Sequence, residues 1–261
     1  MINQYSTTVK FGEENPKKDL HAEEFTLQNF VLETAHTTYA FRTMMTGQLE
    51  HLYYGKRIHL DEAAEIGESH TNAHGNSTVY NNNHMEFSLE DMLLETSSYG
   101  KGDIREPQFA IKAADGSTTL DLVYISHDID HEKAPLDGMP SSYVDEKDEL
   151  NVDHLVIHLK DKNHGYLVDL HYYVFPECDV ITRQASFINA SDAPVRLTRA
   201  LSNMVDFPAT GYRITSFHGG WTKEMGKYDT ILTAGRFSGS SFTGTTSSRT
   251  NPLVLMADPL A

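Results

Sequence analysis

The chain has a single cysteine, Cys178, and a single tryptophan, Trp221, in 261 residues. One thiol cannot close an internal disulfide, and a chain this long buries enough surface to fold without one. A reducing compartment therefore fits, and a disulfide-stapled extracellular scaffold is excluded. The sequence has no apolar run of membrane-span length, and its start, "MINQYSTTVKFGEENPKKDL", lacks the basic segment followed by an apolar core that marks a secretory leader. The expected location is the cytoplasm. Positive charge is scarce: 21 basic against 37 acidic side chains leave a formal charge of -16. Such a surface repels phosphate backbones and anionic lipid, so nucleic acid and membrane are excluded as partners, and a neutral or cationic small molecule stays compatible.

Several chemical signatures are also missing. No Gly-x4-Gly-Lys-Ser/Thr loop is present to cradle phosphate, and no G-x-G-x-x-G joins a strand to a helix. "SGSSFTG" has the wrong spacing for the G-x-S-x-G elbow of a serine hydrolase. No nucleotide or other cofactor is implied. Three pairs among the 14 histidines lie four apart: His70/His74, His127/His131 and His154/His158. That spacing converges on one ion only in a helix, whereas in a strand it separates the rings by roughly 13 Å. We read them as surface and loop histidines and expect no metal. The acidic pairs Asp128/Asp130, Asp145/Glu146 and Glu149/Asp153 read as surface charges, since a chain this acidic offers any spacing. The sequons at Asn76 and Asn189 read as turn chemistry.

What is present is strand pattern. "FTLQNFVLETAHTTYAFRTM" (25–44), "DHLVIHLKD" (153–161), "YLVDLHYYVF" (166–175) and "VRLTRALSNMV" (195–205) are rich in β-branched and aromatic residues. In 153–161, Leu155, Ile157 and Leu159 fall on one face and His154, Val156, His158 and Lys160 on the other, the period of a half-buried strand. Turn chemistry lies between such runs, at 114–118, 160–165, 189–194 and 237–248. The helical pattern of 87–100, with Ser88 as a cap and Asp91 three residues on, competes with an irregular crossover. The polar stretch 61–84 reads as a long exposed loop. The expectation is all-β: one large antiparallel β-sandwich of the supersandwich kind over 1–261, with few short helices.

Six stretches in order, "GQLEHLYYGKRI" (47–58), "FSLEDMLLETSSYGKGDIREPQF" (87–109), "LDGMPSSYV" (136–144), "DVITRQASFIN" (179–189), "LTRALSNMVDFP" (197–208) and "FHGGWTKE" (217–224), resemble the N-terminal β-sandwich domain of the glycoside hydrolase family 36 α-galactosidases. "SSRTNPLVLMADP" (247–259) is similar to the segment leading into the rest of that sandwich. The likeness runs from about residue 25 to the end. It implies a longer protein: this sandwich, then a (β/α)8 barrel holding two catalytic aspartates, then a small β domain. The family's nucleophile lies in a Lys-Trp-Asp string and its acid/base in a Ser-Asp string after another Trp. Trp221 is followed by Thr222, so neither string is here and no catalytic residue is expected in this chain. Retaining glycosidases need two carboxyls about 5 Å apart, so residues 1–261 alone are expected to be inactive. The complete product is expected to remove terminal α-linked galactose from melibiose- and raffinose-type sugars.

The resemblance also implies a substrate-binding role for Trp221, because the tryptophan of the family's matching Gly-Ala/Gly-Trp stretch reaches the substrate. Physically, an indole face stacks on the C–H face of a pyranose. The alternative is a Trp packed within the sandwich or against another domain. The family also touches substrate through an aspartate before the "FSL" motif, and that residue has no counterpart here. No Asp lies between Asp61 and Asp91, so either Asn72 or His74 takes its place or the interaction is absent from this protein. Gly55 and Gly102 are expected in turns, with Lys56, Asp103 and Arg105 in ion pairs that fix loops, and Cys178 as inert filler. The resemblance further implies packing against the barrel and a homo-oligomer, a tetramer in several members. Two other readings stay open, a stand-alone carbohydrate-binding sandwich and a purely structural assembly module. The strand-like close "NPLVLMADPLA" without a turn is expected of a sandwich cut short rather than of either.

Overall fold

Alternation along 153–161 becomes strand β7 (Asp153–Asp161), and its inward residues Leu155, Ile157 and Leu159 are almost completely buried. Each such side chain contributes about 1.5–3 kcal/mol over an exposed one. The structure is a computed structural model that describes residues 1–11, 23–59, 80, 87–144, 151–207 and 211–258. The long polar stretch 61–84 apart from Tyr80, with His70, Asn72, His74 and the Asn76 sequon, lies outside the described residues, as do Asp145, Glu146 and Glu149.

The all-β expectation is borne out. Two compact units divide the chain, 1–206 and 207–261. In the first, β1 (Ile2–Phe11), β2 (Glu23–Glu33), β3 (Thr37–Thr43) and β4 (Leu49–Lys56) form an antiparallel sheet in that order. A second antiparallel sheet runs β6 (Leu122–Asp130), β7, β8 (Tyr166–Phe175), β9 (Val180–Asn189). A two-stranded ladder pairs β5 (Phe109–Ala113) with β10 (Val195–Ala200). The core lies between the two large sheets, where Phe30, Phe41 and Tyr172 form a continuous stack, Phe30–Phe41 at 5.1 Å and Phe41–Tyr172 at 5.0 Å between ring centres. The second unit is a three-stranded antiparallel sheet with β11 (Arg213–Gly220) between β12 (Lys223–Ile231) and β13 (Thr250–Ala257).

The run 25–44 divides into β2 and β3 at a turn. The helical pattern of 87–100 yields only a 3-10 turn, Leu89–Asp91, and Ser88 makes no side-chain cap. The rest of that stretch is spent on edges: His51 N donates to Leu93 O, Glu95 N to Leu49 O and Gln108 N to Ser97 O. It thus extends β4 and then approaches β5, and these backbone partners outcompete a helix. The turn reading of Asn189 holds, since its Oδ1 accepts from Ser191 N and its Nδ2 donates to Ala193 O. Among the described residues no helix is long and apolar enough to cross a membrane.

Candidate functional site

Trp221 and Thr222 form the two-residue tip of the β11–β12 hairpin, because Gly220 pairs with Lys223. Thr222 adopts left-handed φ 62, and its amide donates to Glu224 Oε1 at 3.1 Å. The two preceding glycines differ in role. A Cβ on Gly219 would sit 2.0 Å from Lys223 O and 2.8 Å from Glu224 Cα, so only glycine fits where β12 folds back, whereas a Cβ on Gly220 would meet open space. The hairpin is tied on its other side as well: Gly219 N donates to Arg249 O and Met225 N to Ser248 O. A fixed tip therefore carries an indole that is 79% exposed within this chain. Its π face is open to a ligand or to a further layer of protein.

The histidine pairs do not converge. His127 turns inward, edge-on to Phe30 at 5.0 Å, while His131 pairs with Asp153. His154 and His158 share the opposite face of β7, as the alternation requires, but His154 is buried rather than at the surface, and each is engaged. Asp130 holds His154 Nδ1 at 3.0 Å, and His154 Nε2 lies 3.1 Å from His171 Nδ1. His158 sits between Asp169 (2.7 Å) and Asp128 (3.0 Å). Burial alone lowers the His158 pKa, but the bonds to Asp169 and Asp128 outweigh it and the ring titrates above its ordinary value. Burial, and then His154, push His171 down. Among the described residues no three His, Cys, Asp or Glu side chains are arranged to hold a metal.

The strongest charge constellation is one that sequence reasoning missed. Glu95 is fully buried and accepts from Tyr39 OH at 2.7 Å and Tyr172 OH at 2.7 Å; it pairs with Arg183 at 2.7 Å, and His51 Nδ1 lies 3.2 Å away. Burial pushes the Glu95 pKa up, yet Arg183, His51 and Tyr172 more than reverse this, so the carboxylate stays ionised. Burial opposes charge on Arg183 too, and Glu95, Tyr172 and Tyr39 restore it. Burial, together with Glu95, raises both tyrosines well above their ordinary value and keeps them neutral. Tyr39 and His51 come from the first sheet, Tyr172 and Arg183 from the second. The cluster joins the sandwich layers through a carboxylate on the 93–98 segment, and its closure from solvent makes it architecture rather than an acid/base pair.

The other matched motifs fix loops. Arg105 bridges Asp103 at 2.9 Å and Asp206 at 2.6 Å and donates to the carbonyls of Met92 and Leu89. Gly102 sits in a turn at φ 84, as expected. Gly55 does not: it lies within β4, where a Cβ would meet Tyr53 OH at 2.7 Å, so it makes room for a ring rather than a turn. Lys56 contributes its carbonyl, which accepts from Tyr53 OH. Cys178 is exposed in a 3-10 turn.

Comparison with known proteins places this geometry. The model of the glycosyl hydrolase family 36 N-terminal domain matches residues 47–261. The chain is 31% identical over 229 residues to α-galactosidase AgaA of Geobacillus stearothermophilus, covering 88% of this chain and 31% of that protein. It is also 31% identical to the bifunctional α-galactosidase/sucrose kinase AgaSK of Mediterraneibacter gnavus, over 88% of this chain and 24% of that one. Among solved structures, the α-galactosidase from Lactobacillus brevis superposes with a TM-score of 0.83 at 32% identity, over 88% of this chain and 31% of the other. A substituted form of AgaA in complex with raffinose gives 0.79 at 31%, over 87% and 31%. The chain thus spans about a quarter to a third of the length of these enzymes.

Proposed function

The chain belongs to glycosyl hydrolase family 36 as its N-terminal domain, and from that premise we propose that the complete protein is a retaining α-galactosidase acting on terminal α-linked galactose of melibiose- and raffinose-type sugars. Retention requires a nucleophilic carboxylate and an acid/base carboxyl about 5 Å apart. Both belong to the barrel that the resemblance implies, and residues 1–261 supply neither.

The part of this domain in the reaction is positioning. One observation carries that reading: Trp221 stands 79% exposed on a hairpin tip whose backbone is pinned on both sides. An indole held this way offers a flat, low-entropy platform for the apolar C–H face of galactose, and a fixed platform favours the reactive pose over others. The sandwich itself serves as a support for the barrel and for a homo-oligomer, and the protein works in the cytoplasm, where a lone exposed thiol stays reduced.

The test is kinetic. The complete protein should hydrolyse an aryl α-galactoside, and Trp221→Ala should lower kcat/KM about tenfold or more, the equivalent of about 1.4 kcal/mol of transition-state stabilisation. An inactive complete protein overturns the activity and leaves a sugar-binding or assembly module. An active protein whose kcat/KM is untouched by the substitution overturns the role of Trp221.

A further inference from the structure

The second unit contains a cavity of about 170 Å³ that is separate in its walls from the Trp221 tip. Its floor follows from register. Ser216 and His218, two apart on β11, share a face, and across the ladder they meet Val254 and Thr250 of β13. Asn251 also lines it, and the 232–249 connection contributes Phe237 and Ser240 to the lining. That connection is held by its own bonds, Ser241 Oγ to Thr245 O at 2.6 Å and Thr243 Oγ1 to Thr245 O at 3.2 Å. His218 Nε2 and Ser216 Oγ are 3.1 Å apart, so the polar floor is ordered internally.

Size and chemistry limit what this space takes. A cavity of about 150 Å³ accepts one benzene ring, so this one accepts a single six-membered ring with substituents at its open mouth. Among the described residues no Asp, Glu, Lys or Arg lines it, so a charged ligand would find no permanent counter-charge. Hydroxyl and amide groups, which both donate and accept, match a ligand whose groups do the same. Phe237 adds an apolar ring to the lining. The geometry points to a binding site for a neutral polyhydroxylated six-membered ring, a monosaccharide or cyclitol, formed by Ser216, His218, Phe237, Thr250 and Asn251. It requires neither catalysis nor a Trp221–galactoside interaction.

Calorimetric titration of the complete protein with glucose and with myo-inositol tests this, in wild type and in a Trp221→Ala background. Saturable binding should appear in both. Phe237→Ala and the near-isosteric Thr250→Val should each weaken it at least tenfold, and glucuronate, charged at neutral pH, should bind at least tenfold more weakly than glucose. The Thr250→Val variant keeps the test sound should Phe237→Ala disturb the 232–249 connection. Absence of saturable binding, binding unchanged in both cavity variants, binding abolished in Trp221→Ala, or equal affinity for glucuronate overturns the proposal. Hydrolysis of an aryl α-galactoside is read separately on the same samples, so failure of the enzymatic reading and failure of this site are told apart.

Discussion

Removing either partner of the Glu95–Arg183 pair should be among the most damaging single changes in the first unit. Glu95→Leu leaves a guanidinium that is nearly enclosed, with only 7% of its side chain accessible, facing two tyrosine hydroxyls and the Met204 carbonyl and stripped of the carboxylate it pairs with. Arg183→Met leaves a carboxylate of zero exposure without its guanidinium, with two tyrosine hydroxyls and the His51 ring as its remaining neighbours. Breaking a buried pair from one side costs about 3–5 kcal/mol. For a chain of this size that lowers Tm by about 6–20 °C, at roughly 2–4 °C per kcal/mol. The double variant Glu95→Leu/Arg183→Met removes both charges, and its remaining penalty is that Tyr39, Tyr172 and His51 lose a shared acceptor, about 1–3 kcal/mol for each buried group left unsatisfied. The two single effects should therefore not add, and the cycle should return a coupling of about 2 kcal/mol or more. Urea unfolding followed by the tyrosine near-ultraviolet circular dichroism band suits the measurement, because 11 of the 13 tyrosines lie in residues 1–206. Additive single effects, or singles within about 1 kcal/mol of wild type, would refute the reasoning that both charges are ionised and mutually dependent.

The paired glycines predict an asymmetry: Gly219→Ala should disorder the hairpin and change the emission and quenching of the sole tryptophan, whereas Gly220→Ala should leave both as they were, and equal effects would contradict the fold-back geometry. Asp179 accepts from Thr34 Oγ1, His36 N and the His36 ring, and the His36 and Thr34 bonds lower its pKa to about 2. A lowered carboxyl stabilises above its unfolded value of 3.8 and ceases to as pH falls through about 2. Protection of the His36 amide from exchange should thus fall between about pH 4 and 2 in wild type and be pH-independent there in Asp179→Asn. On the outer face of the β6–β9 sheet, imidazole NMR titration should place His158 above 6.5 and His171 below it. The raised His158 stabilises fully below 6.5 and ceases to as pH rises through its folded value. The lowered His171 stabilises above 6.5 and ceases to as pH falls through its own. Asp169→Asn should bring His158 down, and an unmoved ring would show that the 2.7 Å interaction is not what holds the proton.

Much of the secondary structure was legible because a strand needs only a local rule. The alternation of 153–161 placed Leu155, Ile157 and Leu159 inward and His158 on the opposite, partly open face, as found, whereas His154 on that same face is buried. Clusters such as "NASDAP" carry their turn in their own side chains, and Asn189 caps its turn without distant help. The 87–100 stretch was not legible in this way. Its helical spacing is real, but its backbone finds partners at Leu49 and His51 on β4 and at Gln108 beside β5, all beyond the reach of a helical turn. The turn expectation for Gly55 fails for a different reason: the ring that requires its small size, Tyr53, is a near neighbour along the chain but closes on Gly55 only once the stretch is extended as β4.

By itself the sequence determined the class of fold and, through six ordered motifs, the family. It also singled out Trp221, because a lone tryptophan behind two glycines stands out in a string of letters. Only the tertiary structure decided that Gly219, not Gly220, is the glycine the hairpin needs, and that the histidines of β7 lean on carboxylates of neighbouring strands. It alone assembled Glu95 with Arg183, Tyr39, Tyr172 and His51. Those residues are spread from position 39 to 183 and share no spacing that could announce them. Strand periodicity is written into neighbours along the chain, whereas a buried charge finds its counter-charge through the register of sheets, which is fixed when the layers pack.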